Sequence, residues 1–181
     1  MLIFLRNGKT GLREYKGLLQ YGDSGIYEGH FAEGKEEGKG RKIFPHFEVY
    51  EGKFSEGKFH GKGRFAGNKG EYYDGEWKKG KQDGDGIELL QDGQKYVGQF
   101  KNGLKNGHGK IAWTDGSTYE GEFVDNKIEG QGKKIWRSGK SYEGFWKNEK
   151  EHGFGIMYYP NLSYYSGEFA NGLRHGHGKL T

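Results

Sequence analysis

The feature that most constrains this chain is a period. Tyrosine recurs at positions 27, 50, 73, 96, 119, 142 and 165, always 23 residues apart, and opens the phrases YEGHF, YEGKF, YDGEW, YVGQF, YEGEF, YEGFW and YSGEF. Counting the tyrosine as position 1 of a repeat, position 3 is Gly and position 5 is Phe or Trp in all seven copies. Positions 12 and 14 are also always Gly, and position 8 is Gly in five copies. An unbroken short period of this kind marks a stacked-repeat architecture, in which each unit buries its apolar face only against its neighbours.

Within a repeat, positions 1, 3 and 5 alternate with polar positions 2 and 4, the period-two signature of a half-buried β-strand. A second alternating run follows position 14. Position 16 is often apolar (Phe65, Ile111, Met157, Leu180) and position 18 often aromatic (Phe44, Trp113, Trp136, Tyr159). Asp92-Gly93, Asp115-Gly116 and Ser138-Gly139 then supply turn chemistry, glycine tolerating the positive φ of tight turns. The expected fold is all-β: an elongated single-layer antiparallel meander of stacked β-hairpins. A hairpin turning at positions 8 to 11 would set position 5 opposite 14, 3 opposite 16 and 1 opposite 18. Phe123 would then cover Gly132, and Phe100 would cover Gly109. Counting back from Tyr27, Gly17 falls at position 14 and Tyr21 at position 18, while no first strand is recognisable for that unit. Residues 1–26 are therefore expected to be an N-terminal segment with a half-repeat cap, and residues 27–181 seven repeats, the last incomplete.

Composition agrees with such a fold. Thirty-six glycines and 31% hydrophobic residues among 181 leave too little apolar volume for a two-layered globule, whereas 16% aromatic residues argue against disorder. Basic residues exceed acidic ones by only 29 to 25, and the signs are interspersed. That pattern favours solubility over a nucleic-acid footprint. The absence of cysteine and the short apolar run in the opening MLIFLRNGKTG point to a cytoplasmic protein.

The pattern YEGxFxxGxxxGxG at a 23-residue period closely resembles the MORN repeat (membrane occupation and recognition nexus). The resemblance covers residues 27–181 fully and 12–26 in part. It implies a twisted sheet of β-hairpins with an aromatic-lined groove. It also implies a non-catalytic scaffold in a larger assembly, in a cilium or flagellum (the axoneme included) or in the cytoskeleton. Two further roles of such proteins are binding of anionic phospholipid at a membrane surface and regulatory targeting of a separate lipid kinase or methyltransferase. The sequence departs from the pattern at Asn126 and Glu149, which replace the position 8 glycine, and at Gly67, which holds an aromatic position.

The residues themselves suggest no catalysis and no cofactor. Gly8-Lys9-Thr10 and Gly139-Lys140-Ser141 end like phosphate-binding loops, but the first glycine of that motif would fall at Ile3 and Lys134. His175 and His177 lack a companion ligand set, so no metal site is expected. The acidic residues at position 2 recur as a surface row, and no G-x-S-x-G elbow is present.

Three surfaces could meet a partner. Tyr96, Phe100, Trp113, Tyr119, Phe123, Trp136, Tyr142 and Trp146 would line the groove, either as packing or as anchors for an extended or helical peptide. Phe145, Phe154, Ile156 and Tyr158 of repeat six would point outward where polar residues are expected, forming a candidate protein contact. Lys35, Lys58, Lys81, Lys127 and Lys150, all at position 9, would make a basic edge for an anionic membrane surface. An open C-terminal strand would also permit association with a second copy.

Overall fold

The computed structural model describes residues 2–5, 14–22 and 25–181. They contain sixteen strands and no α-helix, in two compact units, Met1–Gln91 and Asp92–Thr181. The first unit is an antiparallel meander of β1 (Leu2–Leu5), β2 (Glu14–Gln20), β3 (Ile26–Ala32), β4 (Lys35–Ile43), β5 (Val49–Ser55), β6 (Lys58–Ala66), β7 (Tyr72–Lys78) and β8 (Lys81–Leu89). The second runs through β9 (Lys95–Lys101), β10 (Leu104–Ala112), β11 (Thr118–Val124), β12 (Lys127–Ile135), β13 (Ser141–Lys147), β14 (Lys150–Tyr158), β15 (Tyr164–Ala170) and β16 (Leu173–Leu180). β2 pairs with β3 through Gly17↔Gly29 and Leu19↔Tyr27. The same register joins successive repeats, as in Gly132↔Gly144 and Lys134↔Tyr142. β1, not foreseen in the sequence, pairs with β2.

The hairpin register differs from the expected one. Each of the seven repeats from Tyr27 onward turns its hairpin on positions 7 and 8, two residues in left-handed conformation, for example Asn102 (φ 53°) with Gly103 (φ 87°). This is the mirror-image two-residue turn whose twist matches that of its flanking strands. Asn126 (φ 71°) and Glu149 (φ 63°) adopt the same conformation where glycine is missing, so the turn survives the departure. A bulge follows: between the pairs Phe123↔Ile128 and Gly121↔Gly132 the second strand carries two more residues than the first. Its position 12 glycine has positive φ in every repeat, from 56° at Gly61 to 110° at Gly84. Position 3 therefore lies opposite 14, and position 1 opposite 16. Phe123 does not cover Gly132, nor Phe100 Gly109; the tyrosines Tyr119 and Tyr96 do.

That exchange explains the core. A β-carbon on Gly132 would collide with the Tyr119 ring, and one on Gly121 with the Tyr119 hydroxyl and the facing backbone; Gly40 and Gly29 stand in the same way to Tyr27. Each tyrosine lies flat across a pair of facing glycines, and its hydroxyl donates to the carbonyl of position 4. The distance is 2.8 Å from Tyr27 to His30, 3.1 Å from Tyr119 to Glu122 and 3.4 Å from Tyr165 to Glu168. Edge-on contacts then link the repeats: the Tyr119 ring centroid is 5.2 Å from Phe123 in its own repeat and 5.5 Å from Trp146 in the next. Such T-shaped pairs contribute about 0.5–1.5 kcal/mol each beyond the area they bury. Trp77 and Trp146 also donate Nε1–H to the carbonyls of Gly63 and Gly132, at 2.8 and 3.0 Å.

Candidate functional site

The two-residue discrepancy in register is even, so every side chain keeps the face that its parity assigns. On β13 and β14, Tyr142, Trp146 and Met157 are buried on the tyrosine face, and Phe145, Phe154, Ile156 and Tyr158 lie on the opposite one. Phe154 is 64% exposed, Tyr158 41% and Phe145 38%, with Ile156 half-buried between them. Glu143, Ser166 and Glu168 face these residues across the strands. The result is an apolar surface with a polar rim.

The aromatic face is more closed. Tyr96, Phe100, Tyr119, Phe123, Tyr142 and Trp146 are all buried, filling the space left by the glycines. Burial raises the phenol pKa of Tyr119 well above its ordinary range, with Glu122 adding to the shift. The same two causes, burial and then a nearby carboxylate (Glu151), push Tyr142 to about 12. Trp113 and Trp136 are only half-buried. Lys134 stands 4.7 Å from the Trp113 ring centroid and 5.3 Å from that of Trp136, and Lys140 stands 4.6 Å over Trp136. Around Trp113 and Trp136 the accessible surface therefore alternates indoles with ammonium groups.

Lys35, Lys58, Lys81, Lys127 and Lys150 are exposed, each directly after its two-residue turn. Gly139 and Lys140 belong to a turn closed by the bond from the Trp136 amide to the Lys140 carbonyl at 2.9 Å, whereas Gly8-Lys9-Thr10 lies outside the described residues. Gly67 keeps the loop closure of the aromatic residues it replaces, its amide donating to the Glu71 carbonyl at 2.8 Å. Among the described residues no group of three or more His, Asp or Glu side chains could hold a metal, and no helix is long and apolar enough to cross a membrane.

Two features were not foreseen from the sequence. Glu36 is buried and accepts from the Tyr21 hydroxyl at 2.6 Å and from the Lys42 ammonium at 2.7 Å. On the outward face of the first unit, Lys16, Lys39, Lys53 and Lys62 line one groove together with His30. These residues occupy positions 13 and 4, which the pairing between successive repeats sets opposite each other.

Among solved structures, the chain is similar to the TCP domain of Drosophila melanogaster SAS-4 (dCPAP), determined in complex with a proline-rich motif of Ana2 (dSTIL). The identity is 12% and the TM-score 0.48, over 98% of this chain and 95% of that one. It is also similar to the G-box domain of the microcephaly protein CPAP, at 13% identity and a TM-score of 0.37, over 100% of this chain and 97% of that one. No curated protein matches significantly. The repeat family is unambiguous: its model, the MORN repeat, matches residues 27–45, 50–72, 73–95, 96–118, 119–141, 142–164 and 165–181 in turn, and the chain belongs to that family.

Proposed function

We propose that this protein is a non-catalytic scaffold that holds protein partners in a larger ciliary or cytoskeletal assembly, and that one contact is the outward face of repeat six. The observation that carries this reading is the patch of Phe145, Phe154, Ile156 and Tyr158 on a face that is elsewhere mostly charged. Exposed contiguous apolar surface rimmed by polar residues is characteristic of protein contacts, and aromatic anchors carry a large share of the energy in such interfaces. The repeated tyrosine–glycine packing supports the scaffold part of the reading, because it consumes the buried aromatics in holding the repeats together. The test is a quantitative pull-down from ciliated-cell extract with the intact chain and with Phe145→Ser/Tyr158→Ser, both verified as β-folded by circular dichroism. Loss of a defined set of axonemal or cytoskeletal proteins is expected; an unchanged set rejects the patch.

A second reading rests on the exposed position 9 lysines. Lys35, Lys58 and Lys81 in the first unit, and Lys127 and Lys150 in the second, stand at equivalent places beside the turns. Near an anionic bilayer each adds about 1 kcal/mol of attraction. Co-sedimentation with phosphatidylserine vesicles that survives Phe145→Ser/Tyr158→Ser but not Lys→Glu substitution at this edge would favour it.

A further inference from the structure

Charge is distributed unevenly over the outward face of the first unit. One ridge, from positions 2 and 15, alternates in sign: Glu28 lies opposite Arg41, Arg41 opposite Glu51, and Glu51 opposite Arg64. The neighbouring ridge, from positions 4 and 13, does not alternate. It runs Lys16, His30, Lys39, Lys53, Lys62 across β2 to β6, with Lys16 opposite His30 and Lys39 opposite Lys53, and turns acidic only at Glu76, opposite Lys62. Like charges directly opposite each other across strands are destabilising, so this ridge costs stability. The four lysines are exposed, and among the described residues none makes an ion pair. Glu37, on the hairpin of His30, accepts from the Glu56 amide at 2.9 Å.

The backbone beneath the ridge is unusual too. In repeats four and five the position 4 side chain closes the bulge of its hairpin: Gln99 Oε1 accepts from the His108 amide at 2.9 Å, and Glu122 Oε1 from the Gln131 amide at 3.0 Å. In repeats one and two the equivalent residues do not do this. His30 turns Nδ1 to the Lys39 carbonyl at 2.9 Å, and Lys53 has no acceptor at all. The Lys62 amide, at the bulge facing Lys53, thus lacks the side-chain oxygen that the His108 and Gln131 amides have, in a setting of positive charge. A groove of about 830 Å³ runs between the two ridges, with the glycine pairs Gly17/Gly29 and Gly40/Gly52 in its floor.

We infer that this groove is a docking site for an acidic peptide segment of a partner protein. The segment's carboxylates pair with Lys16, Lys39, Lys53 and Lys62, and one of them takes the position at the Lys62 amide that Glu122 fills internally at Gln131. Five strands span about 19 Å from first to last, which an extended chain of about six residues matches. A groove between two ridges of side chains, with a glycine floor, admits an extended chain, whereas a flat bilayer reaches only its rims. Salt-dependent, electrostatically steered association follows from such an arrangement. The site is separate from the repeat six patch and stands or falls without it.

The test is fluorescence anisotropy with the full chain and a labelled oligoglutamate peptide, using an oligoglutamine peptide of equal length as reference. Lys39→Glu/Lys53→Glu/Lys62→Glu is expected to weaken oligoglutamate binding about tenfold or more, while Lys35→Glu/Lys58→Glu/Lys81→Glu, with the same change in net charge, changes it less than about twofold. Lys39→Gln/Lys53→Gln/Lys62→Gln serves if the charge reversal disturbs folding, as judged by circular dichroism. In amide NMR spectra the Lys62 resonance shifts on peptide addition and that of Gln131 does not. Equal weakening by both charge reversals, no preference for oligoglutamate over oligoglutamine, or binding to phosphatidylserine vesicles without binding to the peptide would each overturn the inference. Phe145→Ser/Tyr158→Ser binds oligoglutamate as the unaltered chain does, which separates this site from the proposed scaffold contact.

Discussion

The Tyr119 side chain occupies the space that a β-carbon on Gly132 would need, and its hydroxyl donates to the Glu122 carbonyl at 3.1 Å. The glycine is required here for the missing side chain and not for its backbone freedom, since Gly132 is not among the residues with positive φ. Gly132→Ala is expected to destabilise the protein by about 3 kcal/mol through overpacking. Tyr119→Phe should not rescue it, because ring carbons Cε2 and Cζ stand 2.5 Å from the added carbon as well. Urea unfolding of the two single variants and the double variant decides this; restoration by Tyr119→Phe would contradict the packing account.

The loop between repeats places its penultimate residue in left-handed conformation. Gly70, Gly93, Gly116 and Gly139 meet that demand with φ from 83° to 93°, but repeats one and six use Phe47 (φ 65°) and Leu162 (φ 68°), both almost fully exposed. Since an L-residue pays about 1–2 kcal/mol in this region, Phe47→Gly and Leu162→Gly are each expected to stabilise the fold by about 1 kcal/mol. The measurement is a rise in the urea midpoint at unchanged slope.

Glu36 and Lys42 form a partly buried ion pair at 2.7 Å, with one Glu36 oxygen, Oε2, buried and unpartnered. Removing one member leaves the other charge uncompensated. Lys42→Met should therefore cost about 3 kcal/mol, and Glu36→Ile/Lys42→Met should recover most of that loss. Repeat two shows that the site accepts an apolar pair, with Phe59 and Phe65 in the equivalent positions. Thermal unfolding of both variants tests the expectation.

Tyrosines 27, 50, 73, 119 and 142 have their phenol pKa values raised above the ordinary 10.0, chiefly by burial. The neutral phenol is thus favoured in the folded state. The stabilisation is complete below pH 10, the unfolded value, and is lost as pH rises toward the folded values, about 12 for Tyr142. Alkaline unfolding should be steep above pH 10, with tyrosinate absorbance and loss of β circular dichroism rising together. Tyrosinate formation in several phenols before any unfolding would refute this.

Much of the architecture was legible in the chain. Alternation at positions 1, 3 and 5 placed the first strand, and Asp115-Gly116 placed a turn. The outward side of Phe145 and Tyr158 followed from parity alone. The partner of each residue did not. The invariant position 12 glycine is the signal of a bulge within positions 9 to 13, but it does not say how many residues go unpaired, which depends on ladder geometry between two strands. Tyr119, Phe123 and Gly132 were recognised as a packing set with the wrong ring over the glycine. Lys39 and Lys53, on successive repeats, lie directly opposite each other, a pairing that no local pattern marks.

The sequence by itself determined the repeat, its strands, its turns and the faces to which side chains point, because each follows from local periodicity and backbone preference over a few residues. Tertiary structure alone decided which residues meet: that tyrosine and not phenylalanine fills the glycine gaps, that Glu36 is buried against Lys42, and that four lysines share one ridge. Those relations depend on how far one strand slides along the next. That is settled by the collective packing of rings on glycines across strands and written in no single segment.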